Sequence, residues 1–196
     1  MSTLDLMPAA QRMAHLVESV GDTQLSKPTP CPSYTVGDLV DHIGGLALAF
    51  TAAARKQTPD GGDQGPSGDA SRLSGDWRAR IRRDLETLAD AWRAPDAWQG
   101  MTRIAAMETP GEMVGLIAAD ELVVHGWDLA RATGQDYDCE PELVHAARQF
   151  LSAFVNPDMP AGTDVMFGPP QPAPDGASAL DEVIALAGRD VNWSAT

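Results

Sequence analysis

Cysteine is scarce in this chain. Cys31 and Cys139 are the only two, and they form no Cys-x-x-Cys pair. That pattern excludes both a disulfide framework and a cysteine-rich zinc site. Basic residues are also few: 14 Lys plus Arg stand against 28 Asp plus Glu, for a formal charge of -14. A field of that sign repels nucleic acid and anionic membrane surfaces, so neither is an expected partner. No basic segment followed by an apolar core and a cleavage site opens the chain, so no signal peptide is expected. The longest apolar stretch, around Leu46 to Ala54, falls short of the ~20 residues that cross a bilayer. Internal repeats are absent, and so is strand-like alternation, apart from a short extended piece read at Asp164 to Phe167. These absences leave a reduced, cytoplasmic, soluble protein.

What is present is helical periodicity. At 196 residues with 43% hydrophobic content, the chain reads as one domain over 1–196, large enough for a sizeable core. A first stripe runs through Leu6, Ala10, Met13, Val17 and Val20. A second helix starts at Thr35, an N-cap with Asp38 three residues on, and presents Val36, Leu39, Val40, Ile43, Ala47 and Phe50. The third carries Trp77, Ile81, Leu85, Leu88 and Trp92. The fourth, from about Glu112 to Arg131, is apolar around most of its circumference and stops near Gly134. A fifth starts at Pro141, and a short sixth runs from Ser178 to Gly188. Residues 57–71 and 156–177, rich in Gly, Pro, Asp and Ser, read as loops, the first a mobile one between the second and third helices. The fold class is therefore all-α: an antiparallel four-helix bundle with a C-terminal helical extension from about residue 138.

The fourth helix carries polar groups where a core helix should have none. Glu121 and His125 are four residues apart, which stacks them on one helix face within roughly 40°. Asp128 lies in the same arc, and Val114, Ile117 and Ala118 project into it from earlier turns. Charged groups are seldom buried unless paired or bound to a metal. His42, at the edge of the second helix's apolar stripe, can add a second imidazole from a facing helix. Two imidazoles and one carboxylate leave an open position, the arrangement of catalytic zinc, and the same set suits non-haem iron. The plainer alternative is a buried Glu121–His125 ion pair of structural value. His15 and His145 fall opposite the apolar residues of their helices and read as exposed bystanders. The cluster Arg78, Arg80, Arg82 and Arg83 reads as a solvated helix face among acidic neighbours.

Two segments bear a resemblance that sharpens this reading. Thr29-Pro30-Cys31-Pro32-Ser33-Tyr34-Thr35-Val36-Gly37-Asp38-Leu39-Val40-Asp41-His42 resembles the N-terminal signature of mycothiol-dependent maleylpyruvate isomerase-like proteins, of the DinB-like superfamily of metal-binding four-helix bundles. The stretch from Asp120 to Gly134 resembles the second signature of a branch described as metal-binding proteins. Phe167-Gly168-Pro169-Pro170 and Gly188-Arg189-Asp190 are similar to that branch's C-terminal end.

By position, the resemblance implies His42, Glu121 and His125 as metal ligands, where many DinB-like relatives use three histidines. A carboxylate in that set lowers the charge of the site and the Lewis acidity of its metal. The implied cofactor is a divalent metal, zinc first, with nickel, manganese and iron also compatible. The implied cosubstrate is a low-molecular-weight thiol of the mycothiol or bacillithiol kind, and the implied partner an electrophilic small molecule. Asp128 and Asp38 are candidates for orienting the two histidines, Asp38 being the more ordinary helix cap. The isomerase's additional C-terminal domain has no expected counterpart here, which favours simple thiol transfer over maleylpyruvate isomerisation. Cys31, between two prolines and without a base near it in sequence, is a weaker candidate nucleophile. Trp127 reads as core. The catalytic reading stands beside a non-catalytic metal- or ligand-binding bundle, and beside a purely structural bundle that dimerises through a helix face.

Overall fold

The computed structural model describes residues 4–57, 65–154 and 168–195. Six helices appear among them: α1 (Met7–Glu18), α2 (Val36–Ala54), α3 (Trp77–Trp92), α4 (Gly111–Thr133), α5 (Pro141–Phe154) and α6 (Ala179–Leu186). α1 packs against α3 and α4, and α2 packs against the same two, which closes a four-helix bundle. α5 lies on α4, and α6 on α5 and α4. One apolar cluster runs through all six, from Leu6 and Val17 through Ile43, Leu85 and Leu129 to Leu151 and Ile184. The all-α expectation holds.

The ends of the helices follow their local chemistry. Thr35 Oγ1 accepts from the Asp38 N–H at 3.3 Å, while the Asp38 carboxylate accepts from the Thr35 N–H at 3.0 Å, a reciprocal cap on α2. Ser178 and Asp181 repeat that arrangement at the start of α6. α4 ends on Gly134 with φ 73, a left-handed conformation that a β-carbon disfavours. α2 is long and apolar enough to span a membrane by composition, yet 72% of that stretch is buried inside the bundle, as suits a core helix.

One expectation needs correction. A β-hairpin, β1 (Met101–Ile104) with β2 (Met107–Pro110), precedes α4 where no strand was expected. Its turn, at Ala105 (φ 49), lacks the Asn-Gly or Asp-Gly pair that marks such turns in sequence. The hairpin is held to the bundle by buried Thr102, whose hydroxyl donates to the Ala53 carbonyl at 2.6 Å. The segment read as a loop over 57–71 falls between α2 and α3, and its residues 65–71 lie along α2, with the Ala70 N–H donating to Asp38 at 2.8 Å. The extended piece expected at Asp164 to Phe167 lies outside the described residues.

Candidate metal centre

α2 and α4 bring the three expected ligands together. One donor atom from each of His42, Glu121 and His125 lies within 4.8 Å of the others. The imidazole rings of His42 and His125 stand edge to face with centroids 5.1 Å apart. Among the described residues this is the one group of three or more such side chains so arranged. His15 and His145 are exposed, away from it.

Each imidazole is fixed through its Nδ1. That of His42 is 2.8 Å from the carbonyl oxygen of Pro66. That of His125 is 3.0 Å from Asp128 Oδ2. A carbonyl or carboxylate partner at Nδ1 keeps the proton there and leaves Nε2 as the donor for a metal. The Nε2 of His125 lies 3.0 Å from Glu121 Oε2, so without a metal the two share a proton. The Tyr34 ring covers His42 at a centroid distance of 5.1 Å.

Asp128 is itself anchored, which the sequence did not reveal. Arg189, from the segment after α6, reaches it with Nη2 at 3.0 Å and Nε at 3.3 Å, while its Nη1 donates to the Ala187 carbonyl at 2.9 Å. Arg189 and Asp128 are both buried. The Arg131 guanidinium ties the same C-terminal segment to α4 by donating to the Val191 carbonyl at 2.6 Å. The only trace of this in sequence is the Gly188-Arg189-Asp190 stretch, which carries no spacing that links it to a helix sixty residues earlier.

The charges alternate through this network. Burial disfavours the His125 imidazolium, but hydrogen bonds to Asp128 and Glu121 outweigh it and raise the pKa to about 10. Burial likewise opposes ionisation of Asp128, and Arg189 then pulls its carboxyl below the usual range. Glu121 is lowered against burial by its bond to His125. His42 goes the other way: burial, then the neighbouring His125, lowers it. The row Arg189, Asp128, His125, Glu121 therefore reads plus, minus, plus, minus. A cation that displaces the proton between His125 and Glu121 keeps that alternation, so the donor set fits a divalent metal.

A cavity of about 310 Å³ opens onto these residues. Its walls include Cys31 and Tyr34 from the turn before α2, Asp120 and Glu121 from α4, and Arg189. Cys31, which has no base near it in sequence, thus faces the same cavity as His42. Cys139 does not line it, and burial pushes its thiol up to about 11. Asp120 also escaped the sequence reading as a site residue: it is 1% exposed, and its Oδ1 accepts no hydrogen bond among the described residues. Burial, reinforced by Glu121, drives its carboxyl well above the usual range. Asp38 caps α2 and orients neither histidine. Trp127 is core, with Arg131 stacked over its ring at 5.4 Å.

Residues 6–130 match the family described as the mycothiol maleylpyruvate isomerase N-terminal domain. The chain belongs to that family. An uncharacterized protein of Mycobacterium tuberculosis, found in strains CDC 1551 / Oshkosh and ATCC 25618 / H37Rv, is 30% identical over 193 residues, spanning 96% of this chain and all of the relative. Crystal structures of the mycothiol-dependent maleylpyruvate isomerase and of a histidine-to-alanine mutant of it are similar, with TM-scores of 0.55 and 0.54. They are 16% and 15% identical to this chain, and each alignment covers 77% of it and 72% of the isomerase. That likeness confirms the DinB-like bundle.

Proposed function

We propose that this family member binds a divalent metal, zinc before nickel, manganese or iron, at His42, Glu121 and His125, and uses a small thiol to attack an electrophile in the cytoplasm. The observation that carries the reading is the set of three donors within 4.8 Å of one another beside a cavity of about 310 Å³. It is supported by the partners at both Nδ1 atoms, which leave each Nε2 to act as a ligand. The family description and the names of the structural relatives specify mycothiol, which supports a thiol of that class here.

When bound, a divalent metal supplies positive charge that favours the thiolate, the nucleophilic form of a thiol. The chain's own groups prepare that chemistry. Asp128 and the Pro66 carbonyl hold protons at the Nδ1 atoms of His125 and His42, and Arg189 keeps Asp128 ionised. Tyr34, packed on His42, shields the donor set from bulk water on one side. The cavity has room for a small thiol and an acceptor, giving S-transfer or isomerisation through a thiol adduct.

The test is turnover of zinc-loaded protein with an electrophilic aromatic chloride and, in turn, mycothiol, bacillithiol and glutathione. The reading expects conjugate formation that depends on one of these thiols and disappears in His42→Ala. Metal binding without acceleration by any thiol would leave a non-catalytic metal-binding bundle instead.

A further inference from the structure

One polar wall group of the cavity, outside the ligand set, is buried with an unsatisfied oxygen. Asp120 immediately precedes Glu121 on α4, borders the cavity and is 1% exposed. Its Oδ1 has no partner among the described residues, although nearly all buried polar atoms in folded proteins have one. Arg189, the arginine of the cavity wall, donates its Nε and Nη2 to Asp128 and its Nη1 to Ala187. An enclosed acceptor without a donor costs stability and is kept where a ligand supplies the missing donor. A carboxyl group keeps an acceptor oxygen whether or not it is ionised, and the torsion that turns it is soft, so either oxygen can present itself to the cavity.

We propose that Asp120 is the specificity-determining residue for the thiol: it accepts a hydrogen bond from an N–H or O–H group carried a few atoms from the sulfur. The class of cosubstrate is then a thiol bearing a neutral amide or hydroxyl close to its sulfur, and a plain alkyl thiol is discriminated against. Rejection comes from the site itself, because a ligand without the donor leaves Asp120 unpaired in a cavity it has filled. This rests on the thiol reading above and adds which thiols are chosen.

Two measurements test it. Zinc-loaded wild type, Asp120→Asn and Asp120→Ala are titrated by calorimetry with N-acetylcysteamine, which carries an amide N–H, and with propanethiol, which carries no donor beyond its sulfur. Thermal unfolding of the same three proteins without metal or thiol gives the second readout. The expected result is a preference of about tenfold or more for N-acetylcysteamine in wild type, a factor worth one buried hydrogen bond. Asp120→Ala should lose most of that preference, with Asp120→Asn between because it keeps an acceptor oxygen. Asp120→Ala should also raise the Tm, since it removes an unpaired buried group; a merely structural role would lower it. An unchanged preference, or a lowered Tm, overturns the assignment. If zinc binds but neither thiol binds wild type, the thiol reading itself falls, and the role of Asp120 falls with it.

Discussion

Two faces of this bundle carry charge in opposite ways. On α3, Arg78, Arg80, Arg82 and Arg83 each reach a carboxylate, such as Glu86 from Arg82 at 3.0 Å, and each pair has at least one exposed side chain. On α4, Glu121, His125 and Asp128 form a row closed by Arg189, with Asp128 and Arg189 buried. The α3 contacts range from 2.5 to 4.0 Å and those of the α4 row are each 3.0 Å, but what separates them is burial. Water and salt screen the α3 pairs, which contribute little. The α4 row pays desolvation on every member, and a fold gains little stability from such a row compared with packed apolar residues. A costly buried network beside a cavity is therefore better explained by what it binds than by what it stabilises.

That contrast breaks first at Asp128. Asp128→Ala leaves Arg189 and a protonated His125 buried without their shared carboxylate, and unfolding in urea should show a loss of about 3–5 kcal/mol. Replacing Asp128 and Arg189 together with Leu and Met should cost less than Asp128→Ala alone, as expected of coupled groups. Equal or additive losses would place the row among ordinary packing contacts.

A smaller effect belongs to the half-buried cap of α2, which lies between the two extremes. Burial alone would raise the Asp38 carboxyl, but hydrogen bonds from Thr35 and the Ala70 N–H outweigh it and leave it below its ordinary value of 3.8. A depressed folded-state pKa contributes stability that is full above the unfolded value and lost as pH falls through the folded one. Asp38→Ala should therefore cost about 1 kcal/mol at neutral pH. The gap from wild type should close in acid, below the ordinary carboxylate value, when denaturation is followed against pH.

The smallest effect is on α3. Arg82→Ala should leave unfolding indistinguishable from wild type at physiological salt, with any difference confined to low ionic strength. A large loss there would erase the distinction between the two faces.

How much of this was legible in the sequence depended on whether the signal was local. Thr35 with Asp38, Pro141 and Gly134 mark helix ends through chemistry a few residues wide, and those helices end where expected. Glu121 and His125 were readable because a four-residue spacing fixes their common face on any helix. His42 was placed by the apolar stripe it borders. Arg189, the Pro66 carbonyl and Asp120 were not readable as site groups. Arg189 and Pro66 reach the site only through tertiary contact, from 64 residues after His125 and from the loop 24 residues after His42. Asp120 looked like one more helical acid, and only its sealed Oδ1 separates it from an exposed one. The hairpin at Met101–Pro110 was hidden by an Ala-Ala turn with no glycine.

Everything proposed for the cavity depends on His42, Glu121 and His125 holding one metal ion. Elemental mass spectrometry on untagged protein tests it, comparing wild type with His42→Ala, Glu121→Ala and His15→Ala, the last an exposed histidine on α1. Wild type and His15→Ala should each carry about one equivalent of a divalent metal, and the other two should lose it. Wild type that takes up no metal after dialysis against zinc, nickel, manganese and iron, or equal metal in all four proteins, would contradict it.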